Sequence, residues 1–306
     1  MSAMMPFTKM VGAGNDFIVI DARPGRPAGA GPDWKRLSPT LCDRHRGIGA
    51  DGVLLLEPSR RADVRLRIFN ADGSEAEMCG NGARCVARFL AEGPPGSRAA
   101  GRRAVKIETR AGLISAVVAG ERVEMRMTDP TGWQADLQLE VEGRRLRGTF
   151  LNTGVPHVVL PVAELEAVDV ARLGRAVRRH RQFAPDGTNV NFIQTDPEDA
   201  DRLRVRTYER GVEAETLACG TGVTASAVAH GLGRLRPGGR SRCRIAVGTR
   251  SGDVLHVSFE AARNGREARV REVVLEGPAR RVFDGVLPWP SRGARGCRWP
   301  GSRRRT

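Results

Sequence analysis

Short runs of apolar residues, some unbroken and some alternating with polar ones, recur along the chain between Gly, Pro and Asp. In the first half FIVIDA, VLLLE, RIFN, AVKIETR and LISAVVAG read as strands. In the second half HVVLPV, NVNFIQ, LRVRTY, RIAVG and VLHVSF do the same, and RRVFDGVL predicts one last strand. Ala83, Val86, Ala87 and Leu90 recur at helical spacing and predict a helix over residues 81–91, which GPPG then stops. Val223, Ala227 and Val228 share a face of a second helix over residues 222–231, and a third is expected near residues 165–180. The pattern is that of a mixed α/β (α+β) protein richer in strand than in helix.

The pattern also repeats. CGNGARCVA from Cys79 is answered by CGTGVTASA from Cys219, at an offset of 140 residues. TRAG at 109–112 returns as TRSG at 249–252, again at 140, and VRLRIFN at 64–70 parallels LRVRTYE at 203–209 at 139. Each copy reads as strand, loop, Cys-Gly-x-Gly, helix, strand. Two similar halves, each presenting one thiol, predict a cleft with a thiol on either side.

Composition sets the frame for this. A chain of 306 residues has room for two domains with their own cores. With 40% hydrophobic and 28% charged residues it reads as globular, and no apolar stretch reaches the roughly 18 residues of a membrane span. MSAMMPFTKM carries no signal-peptide pattern, so the expected location is cytoplasmic and no membrane partner is expected. The net charge of +15 raises nucleic acid as a partner. Yet 47 of the 50 basic residues are arginines spread along the chain, with lysine only at Lys9, Lys35 and Lys106. The dense runs, residues 178–181 and 292–305, lack the interleaved aromatics of a stacking surface. Solvated arginines are the preferred reading, and a basic nucleic-acid-binding protein with inert cysteines is kept as the alternative from another class.

Cys-Gly-x-Gly between a loop and a helix has chemical consequences. Glycine lets the backbone approach a ligand closely, and the first helical turn offers unpaired N–H groups to an anion. The same helix end lowers the pKa of a nearby thiol. Two such elements could hold one carboxylate while two sulfurs flank the adjacent carbon, one removing a proton and the other returning one to the opposite face. Duplication singles out Cys79 and Cys219 from Cys42, Cys85, Cys243 and Cys297, which read as ordinary thiols. No Cys/His cluster has zinc spacing, and no lysine lies near a motif to serve as the Schiff base of pyridoxal phosphate. Neither a metal nor a cofactor is expected. GAGNDF at 12–17 lacks the last glycine of a dinucleotide fingerprint.

NADGSEAEMCGNGAR (70–84) and YERGVEAETLACGTG (208–222), with GAGNDF, GIGADG, GVPH and TNVNF in order, resemble the diaminopimelate epimerase family over roughly residues 7–287. The resemblance implies conversion of LL-diaminopimelate to the meso form without a cofactor, for lysine and peptidoglycan synthesis. It implies that Cys79 and Cys219 are the acid/base pair, with His157 and Glu209 tuning them. Asn15, Asn70, Asn189, Glu209 and Arg210 would bind substrate, Arg210 holding the distal carboxylate bidentately, with backbone donors from Gly80, Asn81, Gly220 and Thr221. The implied fold is two pseudo-symmetric domains, each a mostly antiparallel sheet wrapped round a central helix. Residues 1–127 with a returning strand at 278–288 form one, residues 128–277 the other, and residues 289–306 a disordered basic tail. Homodimers occur in the family. The chain departs from its commonest pattern at Val155, where asparagine is usual, at Gly52, where some members have glutamine, and at Glu213-Ala214, one residue longer than usual. A related racemase acting on proline, hydroxyproline or a basic amino acid is the nearest alternative, and Arg210 argues against it.

Overall fold

The computed structural model describes residues 3–25, 33–93, 101–265 and 267–289. The expected basic tail lies outside the described residues apart from Trp289. In chain order come β1 (Ala3–Gly12), β2 (Asn15–Asp21), α1 (Trp34–Cys42), β3 (Gly52–Glu57), β4 (Val64–Asn70), β5 (Glu75–Ala76), α2 (Gly80–Glu92), β6 (Arg103–Thr109) and β7 (Gly112–Ala119). Then follow β8 (Arg122–Arg126), β9 (Thr131–Val141), β10 (Arg144–Asn152), β11 (Pro156–Pro161), α3 (Val170–Arg178), β12 (Asn189–Thr195), β13 (Arg202–Glu209) and β14 (Ala214–Thr216). The chain continues through α4 (Gly220–Arg234), β15 (Arg240–Gly248), β16 (Val254–Asn264), β17 (Glu267–Pro278) and β18 (Arg280–Trp289).

Two compact units result, one up to Glu121 together with the strand from Ala279 onward, the other Arg122–Pro278. The first division falls earlier than residue 127 because β8 pairs antiparallel with β17 and so belongs to the second unit. In the first unit the pairing runs β18, β1, β2, β3, β4, β6, β7; β2–β3 and β4–β6 are parallel and the rest antiparallel. In the second it runs β9, β10, β11, β12, β13, β15, β16, β17, β8, with β11–β12 and β13–β15 the parallel pairs. The sequence repeat is therefore a repeat of pairing pattern.

Each sheet packs round a central helix on one face. α2 lies against β1, β2, β4, β6, β7 and β18, and α4 against β10–β13 and β15–β17. A helix enclosed in this way needs small side chains, and α4 buries Ala225, Ala227 and Ala229 along with Thr224 and Ser226. The two hydroxyls bond back to carbonyls one turn earlier, Thr224 Oγ1 to Gly220 O at 2.9 Å and Ser226 Oγ to Gly222 O at 2.7 Å. On the other face of each sheet sits a shorter helix. Trp34 and Leu41 of α1 join Ile18, Val53 and Phe69 in one core cluster, and Val170 and Val177 of α3 join Val158, Phe192 and Tyr208 in another. Among the described residues no helix is long and apolar enough to cross a membrane.

Candidate active site

In the first unit the approach to Cys79 is braced by a two-pronged ion pair. Arg67 on β4 donates to Glu75 on β5 through Nε at 2.8 Å and Nη2 at 3.1 Å. Cys79 then caps α2, and its Sγ accepts from the Gly82 amide at 3.5 Å. Gly82 has no room for a side chain, since a Cβ would stand 2.9 Å from Leu54 Cδ2. Asn81 is buried; its Nδ2 donates to Asn15 Oδ1 at 2.7 Å and its Oδ1 accepts from Arg84 at 2.5 Å. Asn15 Nδ2 donates in turn to Asp51 at 2.9 Å. Asp51 also receives Arg44, which bridges it to Asp16. The Asp16 carboxyl sits at about 2, with burial opposing and the hydrogen bonds and charges of Arg44 and Lys9 more than compensating. Charged groups behind the site thus fix which way the Asn15 and Asn81 amides face. Asn70 is exposed at the end of β4, where its amide bonds Ser74 at 2.9 Å.

The second unit repeats the brace. Arg206 on β13 donates to Glu215 on β14 through Nε at 2.7 Å and Nη2 at 2.8 Å. Cys219 is the N-cap of α4, buried, with Sγ 3.3 Å from Thr221 Oγ1. Burial, and then the negative charge of Glu209, push its thiol up to about 12, against the pull of the Thr221 hydroxyl and the first-turn amides. Burial likewise raises the Glu209 carboxyl, against contacts with Thr216 and Cys219. Asn189 is clamped by its donation to Pro156 O at 3.0 Å and by the Arg210 amide donating to its Oδ1 at 2.8 Å. The Thr221 carbonyl accepts from Thr153 Oγ1 at 3.2 Å. The lengthened loop is tied down, Tyr208 Oη donating to Glu213 O at 2.8 Å and Arg178 pairing with the Glu213 carboxylate at 3.1 Å.

His157 on β11 is fully buried, and burial together with the Arg210 charge lowers it from the usual imidazole value to about 3. Burial thus holds the ring neutral near pH 7. This narrows the expected tuning role, because a neutral ring contributes a hydrogen bond and no positive charge. Among the described residues no carboxylate pairs with the Arg210 guanidinium.

Two residues that sequence reasoning passed over stand beside these. Asn191 Nδ2 lies 3.1 Å from His157 Nδ1, and Thr207 Oγ1 donates to Asn191 Oδ1 at 3.0 Å. Both are buried. The signal was present in the repeat, since LRVRTYE puts Thr207 where VRLRIFN has Ile68. Of the remaining thiols, burial pushes Cys85 up to about 12 and Cys42 to about 11 and raises Cys243, whereas Cys297 lies outside the described residues. Among the described residues no three His, Cys, Asp or Glu side chains gather as a metal site.

A sheet wrapped round a central helix, built twice with a cysteine capping the helix each time, defines a duplicated α/β protein. The same fold occurs in a hydroxyproline epimerase from Agrobacterium vitis, with a TM-score of 0.66 and 21% identity over 95% of this chain and 93% of that one. The sequence is more specific. The family model for diaminopimelate epimerase matches residues 7–133 and 149–282, and the chain belongs to that family. The diaminopimelate epimerase of Aquifex aeolicus (strain VF5) is 43% identical over 295 residues, 92% of this chain and 98% of that protein. That of Hydrogenobaculum sp. (strain Y04AAS1) is 40% identical over 294 residues, 93% of this chain and 99% of that protein.

Proposed function

We propose that the chain converts LL-2,6-diaminopimelate to the meso isomer by exchanging one α-proton between Cys79 and Cys219, with no metal or organic cofactor in the step. The observation that carries the reading is the cysteine repeated at the N-cap of both central helices, in a chain 43% identical to a diaminopimelate epimerase over nearly its whole length. Cys219 rests as the thiol, because burial and the Glu209 charge oppose its ionisation. Cys79, as thiolate, takes the α-proton from one face while Cys219 gives its proton to the other. In the reverse direction the roles exchange. Charge that builds on the carboxylate meets amides of Gly80, Asn81, Gly220 and Thr221, preorganised by the helix starts.

Arg210 takes the distal carboxylate, and Asn15, Asn70 and Asn189 offer amides to the rest of the molecule. Glu209 receives an ammonium group, and before the next forward turnover Cys79 loses the proton it took while Cys219 regains one by exchange with solvent. An apolar Val155 leaves the site one amide short of the family's commonest pattern. The product feeds lysine and peptidoglycan precursor synthesis, and the place of action is the cytoplasm, where thiols stay reduced. The reading includes no nucleic-acid or membrane partner; a homodimer belongs to it and is checked by sedimentation.

Incubating the protein with LL-diaminopimelate in D₂O, without pyridoxal phosphate or metal, should yield the meso isomer with deuterium at one α-carbon. Cys79→Ala and Cys219→Ala should each lower the isomerisation rate by at least about 100-fold. Full activity in either variant would show that the reaction does not use two bases.

A further inference from the structure

The buried polar group of His157, Asn191 and Thr207 has an apolar counterpart in the other half of the molecule. β11 pairs with β12 so that His157 stands opposite Asn189, and β12 pairs with β13 so that Asn191 stands opposite Thr207. In the first unit β2 pairs with β3 so that Phe17 stands opposite Gly52, and Leu54 stands opposite Ile68. Phe17, Leu54 and Ile68 therefore occupy the positions of His157, Asn191 and Thr207, and all three are buried. The first unit is built without polar atoms at these positions, so the shared pairing pattern does not itself call for them. Burying them costs stability, which points to another use.

Its hydrogen bonds leave a single arrangement. Asn191 Nδ2 donates to Val158 O at 3.1 Å, and a carbonyl oxygen can only accept, so the amide nitrogen is on that side. Thr207 Oγ1 donating to Asn191 Oδ1 at 3.0 Å agrees. The second Nδ2 hydrogen is then directed at His157 Nδ1, 3.1 Å away, which must be bare. The ring proton is on Nε2, a buried atom with no hydrogen-bond partner among the described residues. The group also abuts the reactive loop, since a Cβ on Gly222, in the first turn of α4, would lie 2.4 Å from Asn191 Oδ1 and 3.3 Å from Thr207 Oγ1.

We infer that Asn191, clamped by Thr207, is a positioning residue that sets His157 in its neutral Nε2–H tautomer and so presents one uncharged donor to the anion formed at the reacting centre. The acceptor rests on the proposed function; the tautomer does not. A neutral donor suits a centre that must accept negative charge only briefly, because it strengthens its bond as the charge grows and gives up no proton.

The test is long-range ¹H–¹⁵N NMR on histidine-labelled protein without substrate, the His157 signals being assigned by their loss in His157→Phe. The intact protein should show Nε2 protonated and Nδ1 bare. Asn191→Asp puts an acceptor beside Nδ1 and should draw the proton there, with kcat for LL-diaminopimelate falling at least about tenfold and KM little changed. Thr207→Val removes one of the two bonds that orient the Asn191 amide and leaves the one to the Val158 carbonyl, so His157 should keep its proton largely on Nε2, with a smaller loss in kcat than in Asn191→Asp. A proton on Nδ1 in the intact protein would overturn the inference, as would an Asn191→Asp variant that keeps both the Nε2–H tautomer and the parent kcat. If Asn191→Asp fails to fold, the intact protein and Thr207→Val decide. Loss of diaminopimelate turnover in every form, with the tautomer as stated, would count against the proposed function alone.

Discussion

An imidazole held neutral by burial leaves a signature in the acid stability of the protein. His157 ionises in the unfolded chain near 6.5 and in the folded chain at about 3. Between those values the unfolded chain binds the extra proton, so stability is full above about 6.5 and is lost as pH falls toward 3. One proton corresponds to about 1.4 kcal/mol per pH unit. His157→Phe, which copies Phe17, should remove this loss. Urea titrations from pH 7 to pH 4 should show the difference between variant and parent moving in the variant's favour by about that slope, and a difference independent of pH would mean that the folded ring is charged. Comparison with the parent is needed because Glu209, whose carboxyl burial raises, acts in the opposite sense. Its contribution is full below the ordinary carboxyl value and is lost as pH rises through the raised one. Glu209 and Arg210 came into view through the family resemblance that YERGVEAETLACGTG carries. Asn191 was not: inside NVNFIQ it reads as one polar position of a strand, and only cross-strand register sets it where the first half has Leu54.

Among the elements, the hairpins before the two cysteines carry the clearest structural duplication. Arg67–Glu75 and Arg206–Glu215 are both two-pronged and partly buried. Arg206 also donates to the carbonyls of Leu165 and Val168 at 3.1 Å. A lysine cannot supply that planar fork. Arg206→Lys should lower stability by about 1–3 kcal/mol and reduce kcat by loosening the approach to Cys219, read by denaturant midpoint and by rate; unchanged values in both would show that the brace is ornamental. Apolar periodicity revealed α2 and α4 but started α2 one residue late and α4 two, because a cysteine cap followed by glycine carries no periodic signal. It missed α1, where Pro39 and two basic residues obscure a nine-residue helix. It missed β9 and β10 because their outward positions are Arg, Gln and Glu. It also missed β1, β8 and β17; β1 has Pro6 and a buried Lys9 among its apolar residues.

For the whole molecule, the charge of +15 is less one-sided than the number suggests. Arg44 joins Asp16 and Asp51, Arg204 and Arg250 share Glu166, and Arg122 and Arg244 flank Glu276. Most of these guanidinium groups are exposed, so each pair adds little to stability, but together they place acid beside base across the surface. The division into two like halves was legible as an offset near 140 residues; the place of β8 was not, because only its pairing with β17 assigns it. The matched interiors of the halves also define a trade between activity and durability inside one chain. A combined variant, His157→Phe, Asn191→Leu and Thr207→Ile, would give the second half the apolar set that the first half already accommodates. It should be catalytically silent and melt no lower than the parent, and a clearly lower melting temperature would show that the second half cannot take the first half's packing. On this account the enzyme works below the thermal tolerance its own architecture allows, and the shortfall is located in three side chains.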